Sequence, residues 1–257
     1  MANLVTHIGT KATAFLLELA AVTRLLVSTV ALVFTAPPKW RHISAQMFSM
    51  GVLSLPVVLV TGAFMGMVVA AQSYYLLHKM TMEVAIGPLV SLSMANELGP
   101  VITAVILAGR VGASMAAELG TMKVTEQIDA LRAMATSPTR YLVVPRFISA
   151  IFMVPLLTAF GIFIGIAGGA LVAIALKGVN AAYFMQYMYY YTEASDLRTG
   201  LVKSAVFGGI IVIVACHRGF AAEGGAEGVG KAATRTMVIS CIVILIVDFF
   251  LDMLLLY

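Results

Sequence analysis

Residues 42–78 read HISAQMFSMGVLSLPVVLVTGAFMGMVVAAQSYYLLH and contain no aspartate, glutamate, lysine or arginine. A transmembrane helix needs about 20 mostly apolar residues, because the hydrocarbon core of a bilayer is about 30 Å thick and offers no water to backbone groups. This run is long enough for a complete span, which we place at residues 43–77. The chain is therefore expected to cross a membrane.

The composition of the whole chain agrees with a membrane location. Of the 257 residues, 61% are apolar and 11% are charged, whereas about a quarter of the residues in a soluble domain are charged. The net charge of +4 is not gathered in a basic tract, so we expect no nucleic-acid partner. Cys216 and Cys241 fit neither a C-x-x-C motif nor metal-ligand spacing, and we expect no bound metal.

Four further apolar runs meet the same length criterion. They predict spans at residues 84–119, 147–176, 199–217 and 236–257. The run 147–176 is uncharged throughout, and 199–217 is interrupted only by Lys203. The fold class that follows is an all-α integral membrane protein with five transmembrane helices, forming a single domain over residues 1–257.

The N-terminal segment 3–34 has a different, amphipathic pattern. Leu19, Val22 and Leu26 lie on one helical face, and Lys11 and Glu18 lie on another. Its uncharged part, residues 25–38, has only 14 residues and ends at a Pro-Pro pair. These features predict an interfacial helix that lies along the membrane surface rather than a sixth span.

The basic residues predict the orientation of the spans. With a cytoplasmic N-terminus, eleven lysines and arginines fall inside, four fall outside, and Arg110 falls within the membrane. The inside set is Lys11, Arg24, Lys39, Arg41, Lys123, Arg132, Arg140, Arg146, Arg218, Lys231 and Arg235; the outside set is Lys79, Lys177, Arg198 and Lys203. An excess of basic residues marks the cytoplasmic side.

The polar link between the second and third spans has helical periodicity. Val124, Ile128, Leu131 and Ala135 recur on one face, and Lys123, Glu126, Asp129 and Arg132 occupy the others. Two interpretations remain open at this point. The link is either an interfacial helix that covers the bundle or a docking helix for a soluble partner.

Glu97 lies deep in the second span, where an ionised side chain costs at least about 2.5 kcal/mol. Gly99 and Pro100 follow it and predict a kink beside the carboxylate. Arg110 on the same helix lies about 20 Å farther along and about 220° around the axis. Glu97 therefore needs a partner from another helix, water or a lipid headgroup, in either a structural or a functional role.

Two carboxylates on the last span, Asp248 and Asp252, are four residues apart and share one helical face. They fit a proton or cation path, but Asp252 is also close enough to the end of the span to reach the outer interface. Glycine pairs at Gly62 and Gly66, and at Gly161 and Gly165, predict close helix packing within the membrane.

Residues 225–231 read GAEGVGK and match the first seven positions of a P-loop. Position eight is Ala232, which has no hydroxyl to bind magnesium. Any ATP that this protein uses must therefore be hydrolysed by another chain. The sequence contains no catalytic motif, and we expect neither enzymatic activity nor a cofactor bound by this chain.

Three strings resemble one known family. They are NELGPVITAVILAGRVGASMAAELGTMKVTEQIDALRAM (96–134), YLVVPRF (141–147) and GAEGVGKAATRTMVIS (225–240). These strings resemble the MlaE/YrbE permeases of bacterial phospholipid-transporting ABC systems, and the match follows the whole chain in order.

The resemblance implies a homodimeric permease in the bacterial inner membrane, with a cytoplasmic N-terminus. It implies a cytoplasmic ABC ATPase, a periplasmic MCE-domain subunit and, in many systems, a STAS-domain protein as partners. The transported molecule would be a phospholipid, moved between the inner membrane and the periplasm or outer membrane, which maintains outer-membrane lipid asymmetry.

The resemblance also implies site residues by position. The family's coupling helix corresponds to residues 121–136. The ATPase-coupling residues would be Lys123, Glu126, Gln127, Asp129 and Arg132. The lipid-binding residues would be Val69, Leu76, Leu77, Met80 and Glu97.

Two positions depart from the family pattern and bear on headgroup recognition. Met80 stands where relatives can have tyrosine, and Asn96 stands where they can have arginine. An alternative function from a different class is an ion-coupled secondary transporter of a small solute. That transporter would use Glu97 and Asp248 as its ion sites.

Overall fold

All regular structure in the described part of the chain is helical. The computed structural model describes residues 2–35 and 40–255. Its α-helices are α1 (Ala2–Thr35), α2 (Trp40–Met47), α3 (Leu55–Lys79), α4 (Ile86–Ser93), α5 (Gly99–Leu107), α6 (Ala113–Val124), α7 (Gln127–Ala133), α8 (Val144–Ala170), α9 (Ala181–Tyr191), α10 (Ala194–Phe220) and α11 (Gly225–Leu255). This result confirms the all-α fold class.

Short π-helical turns join several of these helices into longer rods. The turns are Phe48–Val52, Met94–Leu98, Ala108–Gly112, Thr139–Val143 and Leu171–Leu176. The resulting rods are Trp40–Lys79, Glu83–Val124 and Thr139–Leu176. Single π-helical turns within α-helices are frequent at functional sites, and two of these five contain the charged residues Glu97 and Arg110.

Six helices in the described ranges are long and apolar enough to cross a bilayer. The five spans predicted from the sequence correspond to the last five of these helices. The sixth is Gly9–Thr35, within the N-terminal helix that the sequence predicts at residues 3–34. The prediction of one helix there is confirmed by α1 (Ala2–Thr35), whose length and composition would also suit a sixth span.

Helix ends differ from the predicted bounds where capping determines them. The predicted span 199–217 lies inside α10, which begins five residues earlier because Glu193 and Asp196 form a reciprocal capping box. The predicted span 236–257 lies on α11, which begins at Gly225. Residues 256 and 257 of that prediction, and Pro37, Pro38 and Lys39, lie outside the described residues.

The glycine pairs bring α3 and α8 into backbone contact. A Cβ atom built on Gly62 would lie 2.8 Å from the carbonyl oxygen of Gly161, and one on Gly66 would overlap the carbonyl oxygen of Gly165. Small residues allow this approach in lipid, where packing replaces the hydrophobic effect between helices. The pairing of α3 with α8 thus confirms the packing role predicted for these glycines.

Two apolar clusters fill the bundle. One lies between α5, α6, α8 and α10 and includes Leu107, Leu119, Phe147 and Ile211. The other lies toward the turn between α3 and α4 and includes Ala70, Val90, Ile162 and Phe184. Met94, Ala95 and Leu98 belong to or pack against this second cluster, so the π-helical turn that carries Glu97 is fixed in the bundle.

Helix α1 is attached to the end of α10. Glu18 forms an ion pair with Arg218, and its Oε1 lies 3.8 Å from Nε2 of His217. Farther along α1, Val22, Leu25 and Val33 pack against the first apolar cluster. The polar face predicted for α1 therefore serves to bind a neighbouring helix.

Candidate functional site

Lys203 is the centre of a buried charge cluster. Its ammonium lies 2.7 Å from Oε1 of Glu97 and 3.2 Å from Oδ1 of Asp248, and it also forms an ion pair with Asp252. The Lys203 side chain is completely buried. The partner that Glu97 was predicted to need is thus a lysine on another helix.

The backbone beside Glu97 provides a further ligand for this ammonium. Pro100 has no N–H, so it cannot donate a hydrogen bond to the carbonyl of Asn96 four residues earlier. The Lys203 ammonium donates to that carbonyl oxygen at 3.1 Å. At the kink predicted from Pro100 the structure has a π-helical turn, Met94–Leu98, and its Asn96 carbonyl helps to hold the lysine.

A glycine allows α10 to approach this turn closely. A Cβ atom at Gly200, one turn before Lys203, would overlap the carbonyl oxygen of Ala95. Without that side chain, α10 packs directly against the π-helical turn, and the lysine reaches Glu97. The amide of Asn96 also donates to Asp196 of α10 at 3.3 Å, which ties the two helices together.

The cluster has three carboxylates and one ammonium. The side chains of Glu97, Asp252 and Asp248 are 39%, 28% and 13% exposed, whereas Lys203 is 0% exposed. One oxygen from each carboxylate lies within 4.8 Å of the others, a spacing that would suit a metal ion. The ammonium of Lys203 holds that central place, and Glu97 is the member most open to the surroundings.

The surroundings of Lys203 differ from those expected of an outside residue. The basic-residue count places this lysine in the outside set. In the structure it is buried and neutralises carboxylates from two other segments. The sequence is compatible with either an ion path or the outer interface for Asp248 and Asp252. In the structure both carboxylates form ion pairs with Lys203.

The predicted coupling helix 121–136 is two helices, not one. Helix α6 ends at Val124, and α7 begins at Gln127. Between them Glu126 adopts a left-handed conformation with φ of 59°. The turn redirects the chain so that Ile128 is buried in the first apolar cluster, and that burial is the physical reason for the break.

Asp129 holds the turn between α6 and α7. Its carboxylate accepts from Nζ of Lys123 at 2.9 Å and from Arg132 at 2.9 Å. Three of the five predicted coupling residues are thus bound to one another. The other two, Glu126 and Gln127, are exposed together with Arg132, so this segment (the coupling segment, residues 121–136) presents a polar surface.

A pH change is expected to loosen this turn. The hydrogen bond from Lys123, with the positive charges of Lys123 and Arg132, lowers the pKa of Asp129 from its ordinary value of 3.8. A lowered folded-state pKa means that the ionised carboxylate contributes stability above the ordinary value, and this contribution is lost as the pH falls through the lowered pKa.

We expect a spin label on the Gln127→Cys variant to gain mobility only as the pH falls below 3.8 and through the lowered pKa of Asp129. The same label in an Asp129→Asn background should be mobile at every pH. Equal label mobility in the two backgrounds at pH 7 would show that Asp129 does not hold the turn.

A second ion pair lies beside the coupling segment. Nη2 of Arg146 lies 2.8 Å from Oε1 of Glu118, and Nη1 donates to the carbonyl of Leu142 at 2.8 Å. Arg146 is buried, whereas the basic-residue count predicts a cytoplasmic charge at this position. This pair joins α6, which leads into the coupling segment, to α8.

The family model of Permease MlaE matches residues 43–254. The match includes the charge cluster, the coupling segment and five of the six long helices. The chain belongs to the MlaE permease family. It is a multi-pass membrane transport subunit of the ABC transporter type.

Individual relatives of this permease support the assignment. It is 40% identical over 247 residues to a probable ABC transporter permease protein of Rickettsia conorii, covering 96% of this chain and 95% of the relative. It is 40% identical over 207 residues to the intermembrane phospholipid transport system permease protein MlaE of Haemophilus influenzae, covering 80% and 79%. It is also 37% identical over 213 residues to the chloroplastic protein TRIGALACTOSYLDIACYLGLYCEROL 1 of Arabidopsis thaliana, covering 83% and 61%.

The apolar residues predicted to bind lipid lie on α3 or just after it. Leu76 and Met80 are largely exposed, and Val69 is half-buried. Leu77 is buried in the second apolar cluster, so it contributes to packing within this permease. Glu97 instead faces α10 and α11, which carry the other members of the charge cluster. It lies about 21 Å along the rod Glu83–Val124 from the start of that rod at Glu83.

An apolar cleft of about 360 Å³ lies between α1, α8 and α10 of the permease. No local sequence pattern predicts this cleft, because its lining residues are far apart in the chain and meet only in the folded protein. Its lining residues are Leu26, Phe147, Ile151, Ala205, Val206, Gly209, Ile210, Ile213 and Val214. A cleft of this size and lining accommodates part of an acyl chain.

Proposed function

We propose that this chain is the permease subunit of an ABC system that moves phospholipids between the bacterial inner membrane and the periplasm or outer membrane. This activity would maintain outer-membrane lipid asymmetry. The observation that carries the proposal is the Glu97–Lys203 cluster, a polar site enclosed by apolar helices. The name of the Haemophilus influenzae relative supports phospholipid as the transported molecule.

The rod Glu83–Val124 supports a mechanical link between the site and the coupling segment. Glu97 and Lys123 lie on this rod 26 residues apart, a rise of about 39 Å. A partner ATPase that binds Glu126, Gln127 and Arg132 would act on one end of the rod. Its movement would then change the surroundings of Glu97.

Transport requires a lipid to bind two conformations with different affinity. In this proposal Val69, Leu76, Leu77 and Met80 contact acyl chains, and Glu97 is the polar residue below them. Because Leu77 is buried in the described protomer, its contact with lipid would require the second cluster to open. The permease itself performs no covalent chemistry, and ATP is hydrolysed by the partner.

The proposed assembly is a homodimer in the inner membrane, with a cytoplasmic N-terminus. Its partners are a cytoplasmic ABC ATPase, a periplasmic MCE-domain subunit and a STAS-domain protein. The mostly exposed apolar surfaces of α3 and α11 support contact with lipid or a second copy, because both helices bury only a minority of their residues within one protomer.

Charge reversal of the coupling segment tests the ATPase contact. The double variant Glu126→Lys with Gln127→Glu should reduce ATPase copurification with the tagged permease by about tenfold or more, because both side chains are exposed and neither binds Asp129. Arg140→Glu is the matched control, since Arg140 is also exposed but lies outside α7. Unchanged copurification in the double variant would contradict the docking role.

The charge cluster also suits the second candidate, an ion-coupled transporter. The two functions differ in their energy source. Permease in liposomes with its ATPase should move fluorescent phospholipid only when ATP is present, and a proton or sodium ionophore should have no effect. Transport that stops with the ionophore and continues without ATP would favour the ion-coupled alternative.

A further inference from the structure

A second polar site lies at the end of the bundle that carries the coupling segment. A cleft of about 200 Å³ forms between the end of α10 and the first turns of α11. Its lining residues are Arg218, Ala221, Ala222, Glu223, Gly228, Lys231, Ala232 and Arg235. A Cβ atom on Gly120 would lie 3.2 Å from the Cβ of Ala222, so the cleft adjoins α6 just before the coupling segment.

The lining has an excess of positive charge. Arg218, Lys231 and Arg235 face one carboxylate, Glu223. Lys231 and Arg235 are four residues apart on α11, and like charges at this spacing repel each other. Within the described residues the side chain of Arg235 forms no ion pair or hydrogen bond. The cleft thus gathers three cations around one lining carboxylate.

Two carboxylates outside the lining offset part of this excess. Lys231 lies 2.6 Å from Glu227, but both side chains are mostly exposed, and such surface pairs contribute little. Arg218 is bound to Glu18 of α1. The four ionisable lining residues sum to a formal charge of +2, and Glu227 and Glu18 offset Lys231 and Arg218 from outside the lining, so Arg235 is the lining cation without an ion-pair partner among the described residues.

The size and location of the cleft restrict its ligand. It is smaller than the 300–1,000 Å³ typical of ligand pockets, so a phosphate group fits it better than a nucleotide does. The string GAEGVGK is helical from Gly225 onward and does not form a phosphate-binding loop. Arginine and lysine bind phosphate strongly, and basic residues at the end of a span attract anionic headgroups.

We propose that this cleft binds a phosphate-bearing anion at the membrane surface. Its sources are the headgroup of a phospholipid in the adjacent leaflet or a free phosphate ion. Bound anion would reduce the repulsion between Lys231 and Arg235. It would also fix the turn between α10 and α11 against α6, beside the coupling segment. This site is separate from the Glu97–Lys203 cluster and does not depend on which molecule that cluster receives.

Thermal unfolding of the full chain in detergent tests the proposal. Dioctanoylphosphatidylglycerol, sodium phosphate and sodium chloride would each be titrated at constant ionic strength. The half-saturating concentration of the stabilising anion should rise by about tenfold or more in the Lys231→Gln, Arg235→Gln double variant. The Glu223→Gln variant should bind the same anion more tightly, because it removes the only negative side chain of the lining. Arg140→Gln is the control and should match the unaltered protein.

The outcomes separate the two sources. Stabilisation by the lipid but not by sodium phosphate assigns the cleft to a headgroup, and equal stabilisation by both assigns it to the phosphate group alone. An anion response in the double variant that equals the response of Arg140→Gln would overturn the proposal. So would weaker binding by Glu223→Gln, because the sign of its effect follows directly from the charge of the lining.

Discussion

Replacing Lys203 with methionine is expected to lower the free energy of unfolding by about 3–5 kcal/mol, because it leaves three partly buried carboxylates without their counter-charge. Lys203 is completely buried and has Glu97, Asp248 and Asp252 as ion-pair partners. Methionine has a similar length and shape, so the change removes the charge and little volume. Phospholipid transport should fall with stability.

The measurement is chemical unfolding in detergent, with Lys177→Met as the matched control. Lys177 is exposed just after the π-helical turn that follows α8, and its replacement should have little effect. Adding Asp248→Asn and Asp252→Asn to Lys203→Met should restore part of the lost stability, since the uncompensated charges are removed. Equal unfolding curves for the two lysine variants would show that the cluster is not stabilising.

A Glu97→Gln variant tests the role of this cluster in transport separately from its role in folding. Its side chain is 39% exposed, so Glu97→Gln should destabilise the protein less than Lys203→Met. If Glu97 is the polar residue that a lipid meets, the variant should still lose transport. A Glu97→Gln variant that transports normally would restrict the cluster to a structural role.

Replacing Gly66 with alanine is expected to destabilise the permease by about 1–3 kcal/mol or more, because the added methyl group overlaps a backbone atom. The overlap is with the carbonyl oxygen of Gly165, which cannot rotate away as a flexible side chain can. Helices α3 and α8 would have to separate, and the paired contact of Gly62 with Gly161 would be lost with it. The thermal unfolding temperature in detergent measures the effect.

Gly230→Ala is the control for this variant. Gly230 also lies inside a helix, but no atom lies within 4 Å of a Cβ built there. Alanine should therefore be neutral or slightly stabilising at that position, because it has the higher helix propensity. If Gly66→Ala and Gly230→Ala unfold at the same temperature, α3 and α8 are not held together by close glycine contact.

Features that follow from the bilayer itself were predictable from the sequence. A backbone in lipid must satisfy its own hydrogen bonds, so uncharged runs such as 147–176 predict spans. The cost of a charge in lipid similarly predicts that Glu97 needs a partner on another segment. The glycine spacing at Gly62 and Gly66 predicts close packing, because only small residues allow it.

Other features depend on contacts that no local pattern records. Lys203 is 106 residues from Glu97 in the sequence, and its neighbours give no indication that it is buried. The helix break between α6 and α7 at Glu126 could not be predicted locally, because no glycine, proline or asparagine stands there. The break depends instead on the burial of Ile128 in the first apolar cluster. The predicted extent of the N-terminal helix, residues 3–34, agrees with α1 (Ala2–Thr35), because its apolar periodicity is a local pattern.

The bond between Lys203 and the Asn96 carbonyl has a consequence for sequence divergence. The carbonyl is available because Pro100 supplies no N–H, and the ammonium binds it at 3.1 Å. A change at position 100 to any other residue introduces a competing donor, and a change at position 203 leaves the carbonyl unsatisfied. We therefore expect substitutions at these two positions to occur together in divergent permeases, although the positions are far apart in the chain.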